Sequence, residues 1–218
     1  MKVYVVTAPE SIRGIYETWD RCRAAVAGVV GARYQAVSSR AEAEALLSGV
    51  GLRLTPGRYA FVDGNAMGGV GVVLVERDET ETRVVEEIGT TVYAVFGSAG
   101  IPGLDSRSKI TRAVDAIRNV LAELGALYLA LSRAAPGALT VVHDYQGVAA
   151  WMEGRWRTKD PIVAEVVAAC RDLARQRGLT LTFRHQKAHQ SSFAGPNDWA
   201  AYNARADRLA TNAALRAH

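Results

Sequence analysis

The sequence predicts an α/β fold, a mixed five-stranded sheet flanked by helices and preceded by a small βαβα unit. Three observations carry this reading. Three strand-like runs separated by turn-rich segments fill residues 59–96. Helix and strand patterns alternate after them. A stretch rich in Gly separates them from a compact pattern at the start.

That first pattern covers residues 1–48. Lys2 to Thr7 (KVYVVT) alternates as a strand, Thr18 opens a helix through TWDRCRAAV, and Arg33 to Val37 returns as a strand. Ser39 and Glu42 form a capping box, in which hydroxyl and carboxylate satisfy free amides at a helix start. The segment SGVGLRLTPGR (48–58) contains Pro56, and residues 49–58 read as a linker to a second domain, 59–218.

In the second domain YAFVDG (59–64), GVGVVLVER (69–77) and residues 83–96 read as an antiparallel meander. A helix follows, with Ala113, Ala116, Ile117, Val120, Leu121 and Leu124 at helical spacing. Next come a buried strand ALTVVHD (138–144), helices around residues 148–153 and 161–176, and a strand LTLTFRH (179–185). A last helix runs through AAYNARADRLATNAALRA.

With 49% hydrophobic and 22% charged residues over 218 positions, the chain has material for a real core. Cys22 and Cys170 lie far apart and no Cys-x-x-Cys pair exists, which argues against a disulfide framework and a zinc knuckle. The start lacks a signal-peptide pattern and no apolar stretch is long enough to span a bilayer. The expectation is a soluble cytoplasmic protein with no membrane contact and no evident obligate protein partner. The net charge of +4 is mild, but basic residues gather after Trp151, at Arg155, Arg157, Lys159, Arg171, Arg175, Arg177, Arg184 and Lys187. A face of that kind attracts polyanions. A solvated helix surface explains Arg171 to Arg177 equally well.

Asp63 and Asp144 each close an apolar strand, so their carboxylates converge if those strands are neighbours. Asp207 lies in the last helix, flanked by Ala206, Leu209 and Ala210. Three clustered carboxylates repel one another unless cations sit between them, an arrangement suited to Mg²⁺ or Mn²⁺. Taken singly, each has a bland explanation: a turn dipeptide at Asp63-Gly64, a helix cap at Asp144, a solvated helix residue at Asp207. Other motif readings fail on context. GGVGVV precedes its strand, and His185 with His189 lacks a helical His-Glu-x-x-His frame.

Longer matches decide between these readings. In the second domain they are FVDGN (61–65), HDYQGVAAWMEGRWRTKDP (143–161), KAHQSS (187–192) and NARADRLA (203–210). In the first they are VYVV (3–6), GIYETWDRC (14–22), GARYQAV (31–37) and EAEALL (42–47). On these residues the chain resembles type 1 ribonucleases H that carry an N-terminal hybrid-binding, viroplasmin-like domain. The resemblance implies a ribonuclease H-like fold. It also implies an endonuclease that hydrolyses the RNA strand of RNA/DNA hybrids by a two-metal-ion mechanism, with Mg²⁺ or Mn²⁺ as cofactor. Double-stranded RNA is a second partner it allows for the first domain.

The family's site uses four carboxylates in the order Asp, Glu, Asp, Asp. The resemblance gives Asp63, Asp144 and Asp207 the three aspartate roles and His189 that of a loop histidine assisting proton transfer or product release. It assigns Asn203 to the RNA strand, Trp156, Arg157 and Lys159 to the DNA strand, and adds Asn65 from the FVDGN match. Tyr4, Trp19 and Tyr34 keep aromatic positions that can pack on a nucleic-acid backbone, although Trp19 reads equally as a core residue.

Two departures matter. The segment SRSKITR (106–112) sets Arg112 where the glutamate belongs, and Asp115, one turn on, is the expected substitute. Glu86 or Glu87 is a further option. If no carboxylate fills the position, the alternative is a non-catalytic hybrid-binding protein with a degraded site. A related nuclease acting on other DNA or RNA structures is the third. In the first domain, TAPES (7–11) and Gln35-Ala36 replace basic residues typical of the family, which removes phosphate contacts.

Overall fold

The computed structural model describes residues 2–37, 39–48, 53–186 and 198–217. The chain divides into two compact units between Arg53 and Leu54; residues 198–201 group with the first and residues from Tyr202 on with the second.

The first unit is a three-stranded antiparallel sheet with two helices. Strand β1 (Val3–Ala8) lies between β2 (Gly14–Tyr16) and β3 (Arg33–Val37), and helices α1 (Trp19–Val26) and α2 (Arg40–Ser48) complete it. The strand β2 adds to the expected βαβα pattern and makes it ββαβα. At three residues it is too short for alternation to reveal. Thr18 caps α1 by accepting from the N–H of Arg21, and the Ser39 hydroxyl accepts from the N–H of Glu42 at the start of α2. Val3, Val5, Val37, Ala43 and Leu46 form the core.

The second unit contains the expected mixed five-stranded sheet with helices on its faces. Its strands are β4 (Gly57–Gly64), β5 (Gly69–Arg77), β6 (Thr82–Thr91), β7 (Gly137–His143) and β8 (Leu179–His185), in the order β6-β5-β4-β7-β8. The pairs β4–β5 and β5–β6 are antiparallel, as the meander requires, whereas β4–β7 and β7–β8 are parallel. Asn65 shapes the first hairpin: its Oδ1 accepts from the N–H groups of Met67 and Gly69. Residues 92–96, expected as strand, form the short helix α3 (Val92–Phe96). A short apolar run such as VYAVF does not distinguish the two by pattern.

Helix α4 (Arg107–Arg133) is the long element of the unit, and α5 (Gln146–Met152), α6 (Pro161–Gln176) and α7 (Asp198–Ala217) follow. Asp160 caps α6 by accepting from the N–H groups of Ile162 and Val163, with Pro161 at the first helical position. Within α4 the backbone leaves helical geometry at Arg118 (φ 37°, ψ −116°). This break resets the phase of the buried face: Ala113 is buried, Ala116 is exposed, and beyond the break Leu121, Leu124, Leu127 and Leu131 are all buried. Those leucines pack with Ala60, Val62, Val70 and Val72 of the sheet and Val163, Val166 and Cys170 of α6. Among the described residues no helix is long and apolar enough to cross a membrane.

Candidate active site

The site starts from two strands that run out of apolar residues at the same level. Tyr59, Ala60, Phe61 and Val62 are buried, and Asp63 comes next on β4. On β7, Val141 and Val142 are buried and Asp144 follows the strand end. Because β4 and β7 pair in parallel with Phe61 opposite Val142, two more residues along each chain bring Asp63 and Asp144 level. Carboxyl ends of neighbouring parallel strands are where open α/β sheets place ligand sites.

A third carboxylate comes from α4. The second segment of this helix crosses the end of β4 so closely that a Cβ on Gly64 would lie 2.2 Å from the carbonyl carbon of Ala122 and 2.3 Å from the nitrogen of Glu123. Only glycine permits that approach. It sets Glu123, 4% exposed, beside the two aspartates. One ligand oxygen from each of Asp63, Glu123 and Asp144 lies within 4.8 Å of the others.

A fourth acid lies outside this group of three, on α7. A Cβ on Gly71 would lie 2.0 Å from the carbonyl oxygen of Ala206, so the bare face of β5 seats this helix directly. Asp207 follows Ala206 and its charge acts on Asp63.

The electrostatics are those of crowded, buried acids. Burial pushes the Asp63 carboxyl up to about 7, and the charges of Asp144 and Asp207 add to the rise. Burial raises Glu123 well above the usual carboxylate range, reinforced by Asp144 and Asp63 and by its hydrogen bond with Asp144; the N–H of Gly64 opposes this by donating to Glu123. Glu123 Oε2 is buried without a hydrogen-bond partner. An orphaned oxygen in a group of hard carboxylate donors fits an oxygen-liganded divalent cation such as Mg²⁺ or Mn²⁺. Nearby, burial pulls His143 down to about 4, so its ring is neutral at pH 7.

Asp63 and Asp144, picked out from sequence, are therefore brought together, with Asp207 close by. Asp115 is not among them. It is exposed on the first segment of α4, eight residues before Glu123 and on the other side of the break at Arg118. Arg112, which the sequence register sets at the glutamate position, is exposed on that same segment. Glu86 and Glu87 are engaged elsewhere, with Arg133 and Arg205 respectively. Sequence reasoning missed Glu123 because it carried one helical phase through Arg118. The available signal was a single acid inside the apolar run VLAELGALYLAL (120–131), a residue type rarely buried without a role.

Asn65 has a buried Nδ2 and Asn203 a buried Oδ1, both without partners. Asn203 lies one helical turn before Asp207 on α7. Trp156, Arg157 and Lys159 are exposed. In the first unit Trp19 stands between Tyr4 and Tyr34, with ring centres 5.5 and 5.6 Å apart. At 39% exposure it is a surface residue, not a core one. His189 lies outside the described residues.

Residues 2–47 match the family model of the Ribonuclease H1 N-terminal domain. Among solved structures, the chain is similar to RNase H1 from the halophilic archaeon Halobacterium salinarum NRC-1, at 25% identity over 74% of this chain and 98% of that one, with a TM-score of 0.49. It is similar to the N-terminal RNase H domain of a Mycobacterium tuberculosis protein at 21% identity, covering 72% and 97%, with a TM-score of 0.45. LC11-RNase H1, isolated from compost by a metagenomic approach and solved in complex with an RNA/DNA hybrid, is 19% identical over 74% and 99%, with a TM-score of 0.46. No curated protein matches the chain. The family match covers residues 2–47 and so concerns the first unit alone.

Proposed function

We propose that this chain is a ribonuclease H, an endonuclease that hydrolyses the RNA strand of RNA/DNA hybrids using Mg²⁺ or Mn²⁺. The observation that carries the reading is the convergence of Asp63, Glu123 and Asp144 within 4.8 Å at the ends of two parallel strands. Asp207 completes the proposed set. The presence of Glu123 supports an enzyme over a binding protein with a degraded site. The family match of residues 2–47 supports assigning the first unit to hybrid binding.

Divalent cations bound by these carboxylates supply positive charge that offsets their mutual repulsion and stabilises charge developing on the phosphate oxygens. The remaining roles fall to the chain's own atoms. Asp63 and Asp144, on strand ends, hold fixed positions because the backbone beneath them is paired on the sheet. Asn203 Oδ1 is a free acceptor suited to a sugar 2′-hydroxyl, the group that distinguishes RNA from DNA. Asn65 Nδ2 is a free donor suited to a backbone oxygen. Trp156, Arg157 and Lys159 offer a flat ring and two cations to the DNA strand. His189 assists proton transfer or product release.

The test is cleavage of end-labelled duplexes with Mg²⁺, Mn²⁺ or EDTA. The reading predicts metal-dependent cuts within the RNA of a hybrid, with double-stranded DNA and single-stranded RNA left intact. Hybrid binding without cutting under every metal condition contradicts it. Equal cutting of single-stranded RNA contradicts the substrate assignment.

A further inference from the structure

Beside the carboxylate group lies a second pair of donors, on the adjoining strands. His143 and His185 are register partners on parallel β7 and β8, so their side chains leave the same face of the sheet, with ring centres 5.8 Å apart. Each ring is fixed by a backbone carbonyl. His143 Nδ1–H donates to Tyr145 O at 3.0 Å, and His185 Nε2–H donates to Asp144 O at 2.7 Å. A carbonyl only accepts, so these bonds set both tautomers. The nitrogens left over, Nε2 of His143 and Nδ1 of His185, carry lone pairs. His143 is 1% exposed and its Nε2 has no partner.

Both rings line a cavity of about 200 Å³, walled by Phe183 and Trp156, with the Glu153–Arg155 ion pair at its side. A buried acceptor left without a partner is costly unless something binds it. Imidazoles whose other N–H is held by a carbonyl are the usual form of metal-ligating histidines. The spacing agrees: Zn–N bonds of about 2.0–2.1 Å along each lone pair set two ring centres roughly 5–6 Å apart.

We infer that His143 and His185 form a binding site for a borderline-soft divalent cation such as Zn²⁺, Ni²⁺ or Cu²⁺, with water filling its remaining positions. Imidazole nitrogens select this class over Mg²⁺, which keeps oxygen ligands. The site is separate from the carboxylate group and does not depend on the proposed hydrolytic activity.

The test uses the untagged full chain with His189→Ala and His218→Ala, which leaves His143 and His185 as the only histidines of the four. Co²⁺ is titrated in excess Mg²⁺ and followed by its visible absorption, then displaced with Zn²⁺. One Co²⁺ per chain should bind with the intense bands of a nitrogen-ligated, low-coordinate ion. That signal should persist in Asp63→Asn and be lost in His185→Gln, whose exposed side chain can be changed without opening the core. It should be lost equally in His143→Gln if that variant folds. No Co²⁺ signal in the parent chain overturns the inference, as does an unchanged signal in His185→Gln. A signal lost in Asp63→Asn places the ion among the carboxylates and overturns it too.

Discussion

A Cβ on Gly64 would stand 2.3 Å from the backbone nitrogen of Glu123, while the N–H of Gly64 donates to the Glu123 carboxylate. One residue without a side chain thus sets the position of the carboxylate that sequence reading did not identify and supplies it with a hydrogen bond, while burial dominates its ionisation. Gly64→Ala should force strand and helix apart, at about 1–3 kcal/mol for overpacking. The expected result is a lower Tm together with weaker Mn²⁺ binding by calorimetry. Wild-type values for both would show that the close approach is not needed.

The raised Asp63 carboxyl makes stability depend on pH. Its folded value of about 7 lies above the unfolded value of 3.8, so the folded state holds the proton more tightly. The stabilisation is therefore full below about 3.8 and is lost as pH rises towards 7. Glu123 acts in the same direction. His143 acts in the opposite one, because its folded value is depressed from 6.5 to about 4. Comparing wild type with Asp63→Asn cancels His143 to first order. Without divalent cations, Asp63→Asn should gain on wild type between pH 4 and 7, by at most about 4 kcal/mol. Mg²⁺ should narrow that gap by stabilising wild type. Urea midpoints across this range measure it, and a gap that shrinks with rising pH contradicts the assignment.

Asn203 tests substrate recognition. Its Oδ1 is buried and unpaired, so Asn203→Ala removes a poorly satisfied polar atom and should leave Tm unchanged or slightly higher. Losing one hydrogen bond to a sugar hydroxyl should lower kcat/KM on a hybrid by about three- to tenfold. A large fall in Tm with unchanged kcat/KM would assign Asn203 a purely structural role.

Trp19 tests the first unit. Its position between Tyr4 and Tyr34 at the surface offers a flat apolar face. In a cleavage-silent background, Trp19→Ala should weaken hybrid binding by about tenfold, roughly 1.4 kcal/mol. Residues 2–47 carry six basic and five acidic side chains, so this contribution should change little with salt. Fluorescence anisotropy at two ionic strengths checks both points; unchanged affinity removes the aromatic group from the interface.

What could be read from the sequence followed local rules. Asp63 and Asp144 stand out because each ends a run of buried apolar residues, and parallel pairing then brings them level. Thr18, Asp160 and Pro161 mark helix starts through capping chemistry that operates within three residues. What stayed hidden depends on longer range. Glu123 was obscured by the break at Arg118, since a period counted from Ala113 loses phase there and Ala116 turns outward. The strand Gly14–Tyr16 exists through pairing with β1 and has no alternation of its own. The roles of Gly64 and Gly71 emerge only once α4 and α7 lie on the sheet.

The central claim is that Glu123, with Asp63 and Asp144, makes a working metal centre, and that Asp115 takes no part. It is tested most directly by the rate at which an end-labelled RNA/DNA hybrid is cut in Mg²⁺ by wild type, Glu123→Gln and Asp115→Asn. Glu123→Gln should lose at least about 100-fold, roughly 2.7 kcal/mol of transition-state stabilisation, with Asp115→Asn within about twofold of wild type. Full activity in Glu123→Gln, or its loss in Asp115→Asn alone, contradicts the account.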